Sequence, residues 1–336
     1  MDETSLVINI LNGSHFSKEK IDWGKFILFT NENGLSGALY EFINSNNFSV
    51  PKKVKVNLSN WHKENLKRNM LLLGQLKIIL SRCKDKVVVL KGFSILSSTG
   101  QGIGQRFLLD IDLLALKDFN LIVEELKGLG YEKKQDYSDY LQKKHFHHFV
   151  FHKDISGVLV SVELHHQTDK ITSPFRIPTK QVSLLETSFL GVKILGFSPE
   201  DLLIHISTHV SYDNLFFYSI RDLYDVKLLI EKNKLSWSEV IDKSKKWNCS
   251  SFVYSVLFES SDLLGAGIPS QVLGMLKSNS HRHQLFFLKF VKKNIFKSRM
   301  NNFNKWFFGI VLLKNPFVMI RLLKNGLVFM FRKKFG

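Results

Sequence analysis

Apolar residues along this chain change their period twice. Through the first stretch they recur every three to four positions. Leu66, Met70, Leu73, Leu76 and Leu80 lie at helical spacing, which predicts a long helix with Asn60 as its cap. An earlier helical segment, Ile21 to Asn44, is broken by turn residues at Asn33-Gly34, and Pro51 marks a boundary. The pattern then shortens. Val87 to Leu90 is a continuous apolar run ended by Gly92, the mark of a buried strand. A short helix over Phe93–Ser98 follows, and then a glycine-rich flexible loop from Thr99 to Gln105. Phe107–Leu116 reads as a second strand, Leu121–Gly128 as a helix, Tyr137–Phe151 as a hairpin region and Val158–His166 as another strand. From Ser198 the period is helical again, with Ser198 as N-cap and Pro199 at the first helical position. Helices are predicted over Leu202–Val210, Ile220–Glu231, Trp237–Trp247 and Phe252–Leu264.

The order is helical, mixed, helical. That predicts an α+β protein with a mixed-sheet core over residues 81–197. An N-terminal helical segment (1–80) and a C-terminal helical domain (198–270) flank it, and a basic, apolar helical tail (271–336) follows.

Composition changes this picture in two places. Cys83 and Cys249 are the only cysteines, too few for a disulfide framework or a four-cysteine zinc site. With an acidic N-terminus unlike a signal peptide, they point to the cytoplasm. The net charge of +17 is concentrated late, since every charged residue after Asp262 is Lys or Arg. That block invites an anionic membrane surface or nucleic acid, or else it solvates a tail docked on protein. Residues 281–336 are the segment concerned, and they would place the protein peripherally at a membrane in the first case.

The sharpest local chemistry is Leu108-Leu109-Asp110-Ile111-Asp112-Leu113-Leu114. On a strand, Asp110 and Asp112 share one face while Leu109, Ile111 and Leu113 point into the core. Two adjacent carboxylates repel, and a divalent cation is the usual remedy; oxygen ligands favour Mg²⁺ or Mn²⁺. A bare Asp-x-Asp also occurs at solvated strand ends, so its surroundings matter. Upstream, Lys91-Gly92 stands at a strand-to-helix turn suited to phosphate. Arg106 precedes Asp110 by four residues and can fork onto phosphate oxygens. Downstream, Ser161, Glu163 and His165 share a strand face, and Glu163 would supply a third carboxylate.

This arrangement resembles the nucleotidyltransferase superfamily, which includes DNA polymerase beta-like proteins. More narrowly it resembles the bacterial family labelled uncharacterised nucleotidyltransferase. The likeness rests on Leu90-Lys91-Gly92, Arg106, Asp110-Ile111-Asp112-Leu113-Leu114 and Glu163-Leu164-His165-His166. It continues through Pro199–His205 and Arg221-Asp222-Leu223. It implies a nucleotidyltransferase-like fold. It also implies Mg²⁺-dependent transfer of a nucleoside monophosphate from a nucleoside triphosphate to an unidentified acceptor. Asp110, Asp112 and Glu163 would be catalytic and hold the metal, and Lys91, Gly92, Ser94 and Arg106 would hold the nucleotide. Ser94 would stand in for the small residue that usually follows the turn glycine, where this chain has Phe93. The competing expectations are a non-catalytic nucleotide-binding or interaction protein, and a nucleic-acid or membrane binder led by the tail.

The histidines admit several readings. His145, His147, His148 and His152 cluster, and His165-His166 follow. They would form a second metal site holding zinc, or face a paired aromatic hairpin, or contact the substrate through His148 or His165. His205 and His209 read as partly buried helix residues.

Overall fold

A computed structural model describes residues 2–14, 21–134, 147–170, 173–213, 219–282 and 284–285. His145, most of the hairpin region and the basic tail beyond residue 285 lie outside the described residues.

Four helices open the chain: α1 (Glu3–Leu11), α2 (Trp23–Glu32), α3 (Ser36–Ser45) and α4 (Lys52–Cys83). Asp2 and Asp22 start the first two, each accepting a backbone N–H from three residues on. The long helix begins directly after Pro51, so Asn60 sits in its interior rather than capping it. Strand β1 (Val87–Val89), helix α5 (Lys91–Thr99), strand β2 (Ile111–Ala115), helix α6 (Phe119–Gly128) and strands β3 (Glu132–Lys133), β4 (His148–Ile155) and β5 (Val158–His165) follow. A separate hairpin pairs β6 (Leu184–Phe189) with β7 (Val192–Phe197). Helices α7 (Pro199–Asp213), α8 (Ile220–Lys232), α9 (Trp237–Lys246), α10 (Ser250–Leu264) and α11 (Ser270–Ser278) close the described chain.

The five-stranded sheet has the order β1-β2-β5-β4-β3. Its pairs are antiparallel except β2 with β5, which run parallel. This is the mixed-sheet α+β fold that the sequence predicts. Alternation sorts the side chains onto two cores. Val87, Val89, Ile111, Leu113, Val160, Val162 and Leu164 join the second half of α4 and α6 on one face. Val88, Leu90 and Leu114 join α1–α3 and α7–α11 on the other. The N-terminal and C-terminal helices therefore share one core, although they lie at opposite ends of the sequence.

The loop after α5 is tethered, contrary to its flexible reading. Asn69 donates to the carbonyls of Ile103 at 2.6 Å and Arg106 at 2.7 Å, and Asn65 donates to Gly104 at 3.2 Å. A Cβ at Gly37 on α3 would collide with the Gly104 carbonyl, so glycine here permits close packing of the backbones.

Candidate active site

Ladder pairing in β2 starts only at Ile111, later than the predicted strand. Arg68 on α4 takes the preceding carbonyls, donating from Nε to Leu108 and from its terminal nitrogen to Leu109, both at 2.9 Å. Leu109 is consequently 60% exposed and does not enter the core, whereas Ile111 and Leu113 do. Asp112 lies on the opposite face. The parallel register with β5 sets it beside Glu163, so the two carboxylates face the same side of the sheet.

Two buried basic side chains answer these acids. Lys91 Nζ lies 2.8 Å from Asp112 Oδ1 and 3.7 Å from Glu163 Oε2. His165 Nε2 lies 3.2 Å from the same Asp112 oxygen and 3.4 Å from Glu163 Oε2. Burial alone would raise the Asp112 carboxyl, but Lys91 and His165 outweigh it and hold the group below its usual range. Burial likewise opposes Lys91, which Asp112 and Glu163 nevertheless keep firmly protonated. Lys91 has φ +44, a left-handed conformation uncommon outside glycine. Strain of that kind persists where surrounding contacts over-determine it, as the Lys91 ion pairs do.

Asp110 is different. Burial, then the charges of Asp112 and Glu163, push its carboxyl up to about 7. The set fits a divalent cation on two counts. Asp112, Glu163 and His165 offer ligand atoms within 4.8 Å of one another, and a cation would relieve the repulsion that keeps Asp110 partly protonated.

Two hollows meet at Leu109 and Asp110. One, of about 190 Å³, is lined by Lys91, Gly92, Arg106, Asp112, Arg221 and Asp225 among others. The other, of about 660 Å³, runs over Arg68, His152, Ser161 and Glu163. Gly92 keeps the first open: a Cβ there would stand 2.9 Å from Leu108 Cδ2 and 3.7 Å from the Arg106 guanidinium.

A family model described as an uncharacterised nucleotidyltransferase matches residues 19–265. The chain belongs to that family. Among curated proteins none matches the sequence. Among solved structures, one of an antigenic nucleotidyltransferase-like protein from Paracoccidioides brasiliensis is similar at 15% identity and TM-score 0.39, covering 66% of this chain and 97% of that one. The structure of ANT(2")-Ia in complex with adenylyl-2"-tobramycin is similar at 12% identity and TM-score 0.36, covering 54% and 97%.

In this nucleotidyltransferase the fold brings Asp110, Asp112, Glu163, Lys91, Gly92 and His165 together, with His148 Nε2 3.8 Å from Glu163 Oε1. Two expected nucleotide ligands sit otherwise. Ser94 is 3% exposed and turned toward Gly196 of β7, where a Cβ would meet its hydroxyl at 2.9 Å, so it lines neither hollow. Arg106 borders the smaller hollow, but its Nε is bound to Asp225 Oδ2 at 2.9 Å. Asp169, a further acid beyond β5, is held by Arg176 and by the Ile177 N–H at 3.0 Å. Sequence reading missed Arg68 and Arg221 as lining residues. Arg221 falls within a helical motif that it did quote, while nothing local marks Arg68.

Proposed function

We propose that this chain transfers a nucleoside monophosphate from a nucleoside triphosphate to an acceptor hydroxyl, using a divalent cation at Asp110, Asp112 and Glu163. The observation that carries this reading is the grouping of the three acids around the junction of the two hollows, with Asp110 lining both, Asp112 the smaller and Glu163 the wider. An acceptor oxygen attacks the α-phosphorus in line, a new P–O bond forms, and the bond to the β-phosphate oxygen breaks to release pyrophosphate. Mg²⁺ or Mn²⁺, held by the carboxylates, would neutralise charge on the phosphate oxygens. Lys91 and Arg106 border the smaller hollow and would receive the triphosphate there. The acceptor enters along the wider hollow past Arg68 and His152. Glu163, on the wall of the wider hollow, takes the acceptor proton, and His165 holds Glu163 and Asp112 in place through its Nε2. His148 would act beside Glu163, which its Nε2 approaches at 3.8 Å.

One observation favours a second reading. Lys91 already supplies a cation between Asp112 and Glu163. A non-catalytic nucleotide binder could rest in that state permanently. Incubation of cell extract with the protein and α-labelled nucleoside triphosphates separates the two. Label transferred to an acceptor, identified by mass spectrometry, supports the enzyme; nucleotide binding without transfer supports the binder. Glu163→Gln is expected to slow transfer about 10²- to 10³-fold, with nucleotide affinity nearly unchanged. An unaltered rate would remove Glu163 from the reaction.

A further inference from the structure

Beside the carboxylates the same sheet face carries a histidine cluster. His148 pairs with His165 across β4 and β5, and His147 directly precedes β4. The ring centroids are 4.6 Å apart for His147 and His148, and 5.1 Å for each of them with His165. One nitrogen from each ring lies within 4.8 Å of the others. His148 Nδ1 approaches His147 Nε2 at 3.4 Å.

Two of these rings also have a nitrogen oriented by acids. His165 Nε2 faces Asp112 and Glu163, and His148 Nε2 faces Glu163. A metal-binding imidazole typically directs its other nitrogen to a carboxylate in this way, which fixes the tautomer and the ring plane. The remaining nitrogen of His165, Nδ1, is buried with no hydrogen-bond partner, on a residue only 1% exposed. A buried polar nitrogen without a partner is unfavourable, and a cation ligated there would satisfy it.

We propose that His147, His148 and His165 form a second cation site, for a borderline transition metal such as Zn²⁺, adjoining the carboxylate site but distinct from it. Three nitrogen donors with no thiol suit Zn²⁺ over Mg²⁺, and a tetrahedral ion would keep one position for a further ligand. The ion would lock β4 against β5 and hold the His165 Nε2–H on Asp112 and Glu163, so it acts on the reactive carboxylates by positioning them. The inference does not rest on nucleotidyl transfer and stands or falls without an activity assay.

The test uses the full chain, stripped with chelator, dialysed and titrated with Co²⁺ under visible absorption. The expected result is an intense four-coordinate Co²⁺ band saturating near one equivalent, bleached by Zn²⁺ and unmoved by excess Mg²⁺ (roughly one ion per His₃ site). The band persists in Asp110→Asn and in the histidine control His152→Gln. It disappears in His147→Gln, whose circular dichroism and thermal melt match the parent. Absence of the band in the unaltered chain overturns the proposal whatever becomes of His147→Gln. So does a band that survives His147→Gln, or one lost in Asp110→Asn, which would put the ion on the acids.

Discussion

The two faces of β2 and β5 come from the same short stretches of chain and behave in opposite ways. On one face Ile111, Leu113, Val162 and Leu164 are fully buried against apolar side chains and need no specific partner. On the other, Asp112, Glu163 and His165 are held close together only because each acid meets a basic group. The apolar face supplies stability, roughly in proportion to the area removed from water. The polar face stores an imbalance. Asp112 is fully compensated by Lys91 and His165, while its neighbour Asp110 has no hydrogen-bond or ion-pair partner among the described residues and titrates near neutrality. The same Asp-x-Asp motif thus contains one anchor and one group that awaits a cation.

This contrast can be broken by substitution. The largest stability effect is expected from Asp112→Asn, which leaves Lys91 and His165 facing a neutral group inside the protein; a loss of about 3–4 kcal/mol should appear in denaturant unfolding. Repulsion between the two acids alone would have implied the reverse sign. The stabilisation from Asp112 is complete above its ordinary pKa, near pH 4, and is lost as the pH falls below that toward its depressed folded value. Leu113→Ala, on the apolar face, should cost about 3 kcal/mol while leaving transfer per folded molecule unchanged. A fall in turnover per folded molecule would mean that the two faces are not separable.

The smallest effect has the opposite sign. Asp110 has a folded pKa of about 7, above the ordinary 3.8, so the folded chain binds more protons than the unfolded one in that window. Stability from this group is present below about pH 4 and is lost as the pH rises through 7. Asp110→Asn should therefore stabilise the metal-free protein at pH 8 by about 1–2 kcal/mol, a Tm rise of roughly 1–3 °C, and have little effect at pH 4. Saturating Mg²⁺ should reduce that advantage by stabilising the parent. A destabilised Asp110→Asn at pH 8 would remove the stored repulsion from the account.

Much of this was legible in the sequence because it rested on short-range pattern. The alternation of Ile111 and Leu113 with Asp112 fixed which face carries the acid, and the Val158–His166 pattern placed Glu163 and His165 together. The helices after Ser198 follow from their apolar period, and the structure adds a capping box of Ser219 with Asp222 at the start of α8. What stayed hidden depends on partners remote in sequence. Asp225, on a helix 119 residues beyond Arg106, takes a guanidinium that looked available for phosphate. Arg68 ends the pairing of β2 from a helix some forty residues upstream. The β6–β7 hairpin is exposed along most of β6, so no alternation announced it, and it is this hairpin that covers Ser94. The helix start at Lys52 was missed because its first turns carry mostly exposed polar residues.

The central claim, that the acids at the meeting of the two hollows carry out nucleotidyl transfer, is tested most directly with Asp110→Asn. That variant loses a carboxylate while keeping, or gaining, stability, so lost activity cannot be assigned to unfolding. Pyrophosphate release would be measured with each of the four nucleoside triphosphates, Mg²⁺ and cell extract as the source of acceptor. The account predicts Mg²⁺-dependent release by the unaltered chain with at least one nucleotide, and a fall of about 10³-fold in Asp110→Asn. Release at an undiminished rate by Asp110→Asn would contradict it.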